Sequence, residues 1–293
     1  MEIRTLRYFL AVAREENMTR AAESLHVTQP TLSKALRSLE EELGKKLFTR
    51  HSFSIQLTEE GTLLRDRAED LVSMADKIEK EFVSLDDIQG GDLFLGLAES
   101  YQIRYLAREI YTLKQRYPAL RYHITSGDSE QVLEKLDKGL LDFAVLAEVP
   151  DLQRMEAIPF PEEDVWGVVM KQEDPLAEKK ELSVKDLFGL PLFASEQSWY
   201  GEIKDWAGKD WEKLQLEGSF RLSYNGSVFA GEGLGYLLTF DHLVDTSKES
   251  GMCFVPLSPK LTTRLYLVYK KYQTLTPLAE RFLQQVRQDF PLS

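Results

Sequence analysis

The segment TQPTLSKALRSLEEEL, residues 28–43, places two kinds of side chain on opposite sides of one helical repeat. Leu32, Ala35, Leu36 and Leu39 recur at intervals of three and four, so one side is apolar. The other carries Gln29, Thr31, Ser33, Lys34, Arg37 and Ser38, whose amide, hydroxyl and cationic groups can hydrogen-bond base edges and phosphate oxygens. Other chemistry finds less support. His26, His51, His123 and His242 are far apart with no ligand spacing, and no G-x-S-x-G elbow occurs among the serines. Cys253 is the sole cysteine, which excludes an intrachain disulfide, a thiol-pair redox switch and a multi-cysteine zinc site. In GMCFVPL it reads as a packed apolar residue. The glycines of GEGLGY, residues 231–236, do not stand between a first strand and its helix and read as a helix end. The expectation is therefore no catalytic residue, no metal and no cofactor.

Several elements must position the polar face. Thr28 offers an N-cap hydroxyl and Pro30 sits in the first turn, so a helix is expected from about Gln29 to Glu42. Upstream, RTLRYFLAVAREE (residues 4–16) puts Leu6, Phe9, Leu10 and Ala13 on one face and Arg4, Arg7 and Arg14 on the other. A short second helix from near Thr19 buries Ala21, Ala22 and Leu25, small residues that permit close approach. The pair forms a helix-turn-helix, whose second helix can enter a major groove. A helical bundle with a solvated polar face is the competing reading. Against it stands the continuation LGKKLFTRHSFSIQLTEEG, in which Leu43 and Leu47-Phe48 can anchor a two-stranded wing carrying Lys45, Lys46, Arg50 and His51.

Charge separates this end from the rest. The 293 residues carry a net charge of -12, yet residues 1–58 hold nine Lys/Arg against seven Asp/Glu and the remainder 27 against 41. A mildly basic end on an acidic body suits a chain of which only that end approaches a polyanion. Apolar content of 43% and charged content of 29% describe an ordinary globular protein. The N-terminal residues do not read as a signal peptide and no run matches a membrane span, so a cytoplasmic location without membrane contact is expected.

The stretch AAESLHVTQPTLSKALRSLEEELGKKLFTR, followed by LTEEG, resembles the N-terminal signature of LysR-type transcriptional regulators over about 60 positions. The wing departs from the pattern, since HSFSIQ after Arg50 is less basic than in many members. The resemblance implies DNA contacts from Thr28, Gln29, Pro30, Thr31, Ser33, Lys34, Arg37, Arg50 and His51. Lys34, Gln29 and Thr31 are assigned to base edges, and Ser33, Arg37 and Arg50 to phosphate.

From Thr58 a long helix is expected, with Glu59 and Glu60 favourable in its first turn. Leu64, Ala68, Leu71, Ala75, Ile78, Phe82 and Leu85 alternate spacings of four and three, a heptad seam. About 28 residues would span roughly 42 Å, more than a neighbouring small domain covers. The seam can pair with a second long helix or pack on its own chain. The resemblance favours the first and implies a homodimer, paired again into a homotetramer, on double-stranded promoter DNA.

Beyond Gln89-Gly90-Gly91 strands and helices alternate at crossover lengths, which predicts a parallel α/β domain in two halves with a cleft at the strand ends. The resemblance extends here less tightly and implies the fold of periplasmic binding proteins. The expected fold is α/β overall: a winged helix-turn-helix over residues 1–58, a linker and dimerisation helix over 59–90, and a two-lobed effector-binding domain over 91–293. Lobe I would comprise 91–160 and 267–293, and lobe II 161–266. By position, Ser100, Tyr101, Gly127, Asp128, Ser129, Ser195, Gln197 and Ser198 would line the cleft for a small-molecule effector, with Asn225 and Phe240 added. Ser100, Asp128 and Ser129 read equally well as helix caps.

The expected function is a ligand-responsive, sequence-specific DNA-binding regulator. A solute-binding protein would explain only the body, and an enzyme would need a nucleophile and base that the sequence does not pair.

Overall fold

The computed structural model describes residues 1–50, 55–85, 90–147 and 150–290, so His51 lies outside the described residues. The chain divides into two units, Met1–Val83 and Ser84–Ser293.

In the first unit, α1 (Ile3–Glu15) buries Leu6, Phe9 and Val12. The second helix, α2 (Met18–Ser24), starts one residue earlier than expected because Asn17 caps it: its Oδ1 accepts from the Thr19 and Arg20 N–H groups at 2.9 and 3.1 Å. Helix α3 (Gln29–Leu43) buries Leu32, Leu36 and Leu39 and stops at Gly44, whose φ of +65° suits a residue without Cβ. Thr28 holds the N-cap position, but its hydroxyl meets the Thr31 hydroxyl at 2.8 Å rather than a backbone N–H. Strands β1 (Phe48–Arg50) and β2 (Ile55–Leu57) pair antiparallel as the wing. Leu47 is buried and the Phe48 ring lies 5.2 Å from that of Phe9, whereas Leu43 is exposed and anchors nothing.

Helix α4 (Glu59–Leu85) begins where Thr58 Oγ1 accepts from Gly61 N–H at 2.9 Å and donates to the Lys46 carbonyl at 2.7 Å. A Cβ on Gly61 would fall 2.1 Å from the Leu47 carbonyl oxygen, so only glycine lets the helix approach the wing this closely. The heptad seam then has two occupants. Ala68 is wholly buried in the core of its own unit, with Leu64 and Val72 packed alongside. Leu71, Ile78 and Phe82 are 43%, 45% and 68% exposed, and Ala75 is half-buried. The first two heptad positions thus pack on the chain's own helices, correcting the expectation that Ala68 faces a partner. The side chain of Leu85 lies outside the described residues.

The second unit opens with β3 (Gly90–Leu97), α5 (Arg104–Arg116), β4 (Ala119–Ser126), α6 (Ser129–Asp137) and β5 (Phe143–Leu146). Strand β3 pairs parallel with both β4 and β5, as helical crossovers require. The 17-residue β6 (Met155–Lys171) then leaves this lobe for the next. There follow β7 (Leu182–Ser183), β8 (Pro191–Ser195), α7 (Glu196–Tyr200), α8 (Glu202–Ala207), β9 (Gln215–Phe220), α9 (Ser223–Gly231) and β10 (Tyr236–Phe240). The chain closes with β11 (Met252–Ser258), β12 (Thr262–Lys270) and α10 (Pro277–Asp289).

The sheet order is β4-β3-β5-β12-β6-β10-β8-β9, with β11 on β6 and β7 on β11. It is mixed rather than parallel. β6 and β12 carry the chain between lobes in opposite directions and therefore pair antiparallel, Thr262 against Val165 through Lys270 against Met155. From Trp166 onward β6 pairs with β10 and β11 instead. The expected lobe boundaries fall inside β6 and β12, the two strands that the lobes share. One core gathers Leu95, Phe143, Phe160, Leu267 and Phe282, and another Val168, Leu192, Ala194, Ile203 and Leu238. β11 has no counterpart in the sequence reading. It places Cys253 half-buried against the second core, where burial pushes the thiol pKa up.

Candidate nucleic-acid interface and interlobe cleft

On α3 the apolar stripe lies in the core and the polar side faces out. Thr28, Gln29, Pro30, Thr31, Lys34 and Arg37 are all exposed. Among the described residues, Lys34 and Arg37 have no ion-pair partner, so their charge is uncompensated on this face. Ser33 differs. It is half-buried in a hollow of about 300 Å³ between α3 and the wing, beside Met18, Phe48 and Ile55. Its expected phosphate contact therefore has less room. Arg50 ends β1 with its backbone opposite Ile55, while its side chain lies outside the described residues, as does all of His51.

The wing's two lysines are engaged within the unit. Lys46 Nζ lies 2.7 Å from Glu40, whose other oxygen accepts from Leu47 N–H at 2.9 Å, and Lys45 Nζ lies 3.4 Å from Glu60. Burial raises the Glu40 pKa, but the Lys46 and backbone bonds outweigh it and hold the carboxyl below its ordinary range. These pairs fasten the wing to α3 and α4. Lys34 and Arg37, by contrast, leave positive charge without an ion pair on the outer face of α3 among the described residues.

In the second unit a cleft of about 1020 Å³ opens between the lobes. Gly127, Asp128, Ser129, Ser195, Gln197, Ser198 and Phe240 line it, seven of the expected effector residues. Their local roles follow from helix ends. Asp128 caps α6 by accepting from Gln131 N–H at 2.9 Å, and Ser195 caps α7 by accepting from Ser198 N–H at 3.2 Å. Gln197 spans the lobes, with Nε2 donating to Ser129 Oγ at 3.1 Å and Oε1 accepting from Ser129 N–H at 3.4 Å. Arg221 reaches Asp128 across the cleft at 3.8 Å.

Three expected residues stand elsewhere. Ser100 is buried: its hydroxyl donates to Asp164 Oδ2 at 2.5 Å and accepts from Gln102 N–H at 2.8 Å, so it is a cap. Tyr101 is packed at the surface between His242, ring centroids 4.8 Å apart, and Arg104, 4.5 Å from the ring. Asn225 sits on the exposed side of α9. Asp164 lies on β6 at the point where the chain changes lobes. Burial raises its pKa to about 6 against the opposing pull of Ser100, Gln102, Arg104 and His242.

The sequence reading missed Glu99, Trp166, Arg221, Ser223 and Thr239, all of which line the cleft. Glu99 Oε2 accepts from Ser223 N–H at 2.5 Å, joining the end of β3 to the start of α9, and Thr239 Oγ1 donates to Ser223 Oγ at 3.0 Å. Glu99 could have been found: it is the one charged residue in LGLAES, directly after a buried strand. Trp166 and Phe240 meet edge to face with centroids 4.4 Å apart and, almost wholly buried, brace the floor of the cleft.

Among the described residues no helix is long and apolar enough to cross a membrane, and no group of three or more His, Cys, Asp and Glu could hold a metal ion.

Comparison with known proteins places both units. Residues 3–62 match the family described as bacterial regulatory helix-turn-helix protein, lysR family, and residues 87–291 match the LysR substrate binding domain. The hydrogen peroxide-inducible genes activator of Dickeya chrysanthemi is 29% identical over 301 residues, covering 100% of this chain and 97% of that protein. The DNA-binding transcriptional dual regulator OxyR of Escherichia coli (strain K12) is 29% identical over 296 residues, covering 98% and 95%. Among solved structures, full-length CbnR complexed with its target DNA has a TM-score of 0.78 at 18% identity, covering 98% of this chain and 99% of that one. CbnR alone, a LysR family transcriptional regulator, has a TM-score of 0.80 at 18% identity and covers 100% of both chains. With the helix-turn-helix pattern at one end and the substrate-binding pattern over most of the rest, the chain belongs to the LysR family of DNA-binding transcriptional regulators.

Proposed function

We propose that this regulator reads promoter DNA as a dimer, paired again into a tetramer, and answers to a small molecule held between the lobes of its second unit. The carrying observation is the outer face of α3, where Lys34 and Arg37 are exposed without an ion-pair partner among the described residues, beside exposed Gln29 and Thr31. Gln29, Thr31 and Lys34 near the helix start are assigned to base edges, and Arg37 with Arg50 to phosphate. Residues 1–58 form the DNA-binding domain, 59–90 the linker and 91–293 the effector-binding domain. Dimerisation is assigned to the exposed stretch of the seam, Leu71, Ile78 and Phe82. The protein acts in the cytoplasm and without catalysis.

The relatives named for hydrogen peroxide raise a second kind of signal. Within these 293 residues Cys253 has no second thiol to pair with, and burial pushes its pKa up, away from the reactive thiolate. A ligand in the cleft is the better-supported signal. Ligand binding can drive a response only if it prefers one arrangement of the lobes, and Gln197–Ser129, Glu99–Ser223 and Arg221–Asp128 are the cross-lobe contacts that such a preference would act on. A changed lobe angle would alter the angle between dimers and the bend of the DNA.

The test is a fluorescence-anisotropy titration of the protein against the DNA upstream of its own gene and a scrambled control, at two salt concentrations. The expected result is tighter binding to the upstream DNA, weakening steeply with salt as phosphate contacts are screened. Binding that neither prefers a sequence nor responds to salt would overturn the reading.

A further inference from the structure

We infer that the interlobe cleft takes a small organic cation, an ammonium group or groups carried on an apolar body, rather than an organic anion. The inference rests on the reading of this cleft as the effector site and specifies its charge. Among the described residues, Glu99, Asp128, Glu130 and Asp151 line the cleft from one lobe and Glu196 and Glu202 from the other, against the single guanidinium of Arg221. Arg221 already faces Asp128 at 3.8 Å. Neutral donors orient several of these carboxylates without cancelling their charge: Ser223 N–H on Glu99, Gln131 N–H on Asp128 and Ser219 Oγ on Glu196 at 3.1 Å. A concave surface lined by one sign of charge concentrates the opposite sign within it.

A second observation narrows the route for an anion. Two of the helices that start at the cleft, α6 and α9, present N–H groups where an anionic ligand could be received. Both positions are held by the chain's own carboxylates, Asp128 at α6 and Glu99 at α9. An anion at either start would have to displace a carboxylate or sit against it, which leaves only the five-residue α7, capped by the neutral Ser195.

The form of the cation follows from the spread of the acids and from the wall. No three of the acidic groups among the described residues converge as a metal site would need, so the charge suits an extended organic cation better than a metal ion. Leu133, Phe220 and Leu243, all half-buried, line the same space and give an apolar surface against which the body of an alkylammonium can pack. With carboxylates on both lobes, a bound ammonium would draw the lobes together.

Calorimetric titration of the full chain with two matched pairs tests this: phenethylamine against phenylacetate, and 1,4-diaminobutane against succinate. At least one amine is expected to bind while its carboxylate partner does not. Glu99→Gln should weaken amine binding about tenfold. Arg221→Gln should tighten it, a direction that misfolding does not produce. Carboxylates binding as tightly as the amines, or neither amine binding at millimolar concentration, would overturn the charge assignment. The anisotropy titration run on the same protein separates the failures: operator preference that survives leaves the regulator standing, and its loss removes the regulator as well.

Discussion

The outer face of α3 and the interlobe cleft both gather polar side chains, yet they hold them in opposite states. On α3 the groups project from a core fixed by Leu32, Leu36 and Leu39, and Lys34 and Arg37 stand exposed. In the cleft they are tied to one another, Gln197 to Ser129, Glu99 to Ser223, Thr239 to Ser223. The difference teaches how each surface must act. A face whose cations are uncommitted can meet DNA with little internal rearrangement, and its affinity is set by what it touches. A ligand entering a cleft whose donors are committed across two lobes would have to exchange internal bonds for external ones, which would couple occupancy to lobe position.

The largest expected effect comes from breaking the arrangement that doubles the first surface. Leu71→Asp puts a charge into the exposed stretch of the α4 seam and is expected to abolish dimerisation and operator binding together, read by sedimentation and anisotropy. An intact dimer in that variant would mean that the seam pairs elsewhere.

Next is the hinge behind the second surface. Asp164 has a folded-state pKa of about 6 against an ordinary 3.8, so the folded unit holds a proton that the unfolded chain has released between those values. The contribution of Asp164 to stability should be fully present below about pH 4, fall as pH rises towards 6 and be lost above it. The total is on the order of 3 kcal/mol, from about 1.4 kcal/mol per pKa unit. Urea unfolding of the protein and of Asp164→Asn from pH 4 to 7 is expected to differ by this slope, which adds to the opposite trend of carboxyls held low, such as Asp92 and Asp186. An unchanged slope in the variant would assign the titration to another group.

The smallest effects contrast the two surfaces directly. Lys34→Ala should cost about 1–3 kcal/mol of operator binding and shift base preference with stability unchanged. Gln197→Ala should cost about 1 kcal/mol of stability in the second unit, the usual worth of a hydrogen bond, with base preference unchanged. Anisotropy and urea midpoints on both variants provide the comparison. A stability loss in Lys34→Ala would show that its charge is engaged after all.

Legibility in the sequence followed the same division. The α3 face could be read residue by residue because a helix of fixed period sends each side chain in a direction that spacing alone gives. Asn17 was missed as a cap only because the helix was begun at Thr19. In the cleft, neighbours at a strand end diverge: Glu99 lines the space, while Ser100 turns inward to Asp164, a residue 64 positions away. No local pattern reports that partner. Asn225 failed for a related reason, since α9 packs through Ser223, Gly226 and Ala230 and leaves Asn225 on the far side.

By itself the sequence determined the winged helix-turn-helix, the long helix after Thr58 and the alternation of strands and helices. Each rests on periodicity, caps and glycines that act within a few residues. Only the tertiary structure decided which heptad positions the chain covers itself, how β6 and β12 join the lobes antiparallel, and which carboxylates meet in the cleft. Those outcomes depend on residues far apart in the chain sharing one space, and burial and charge act through that space.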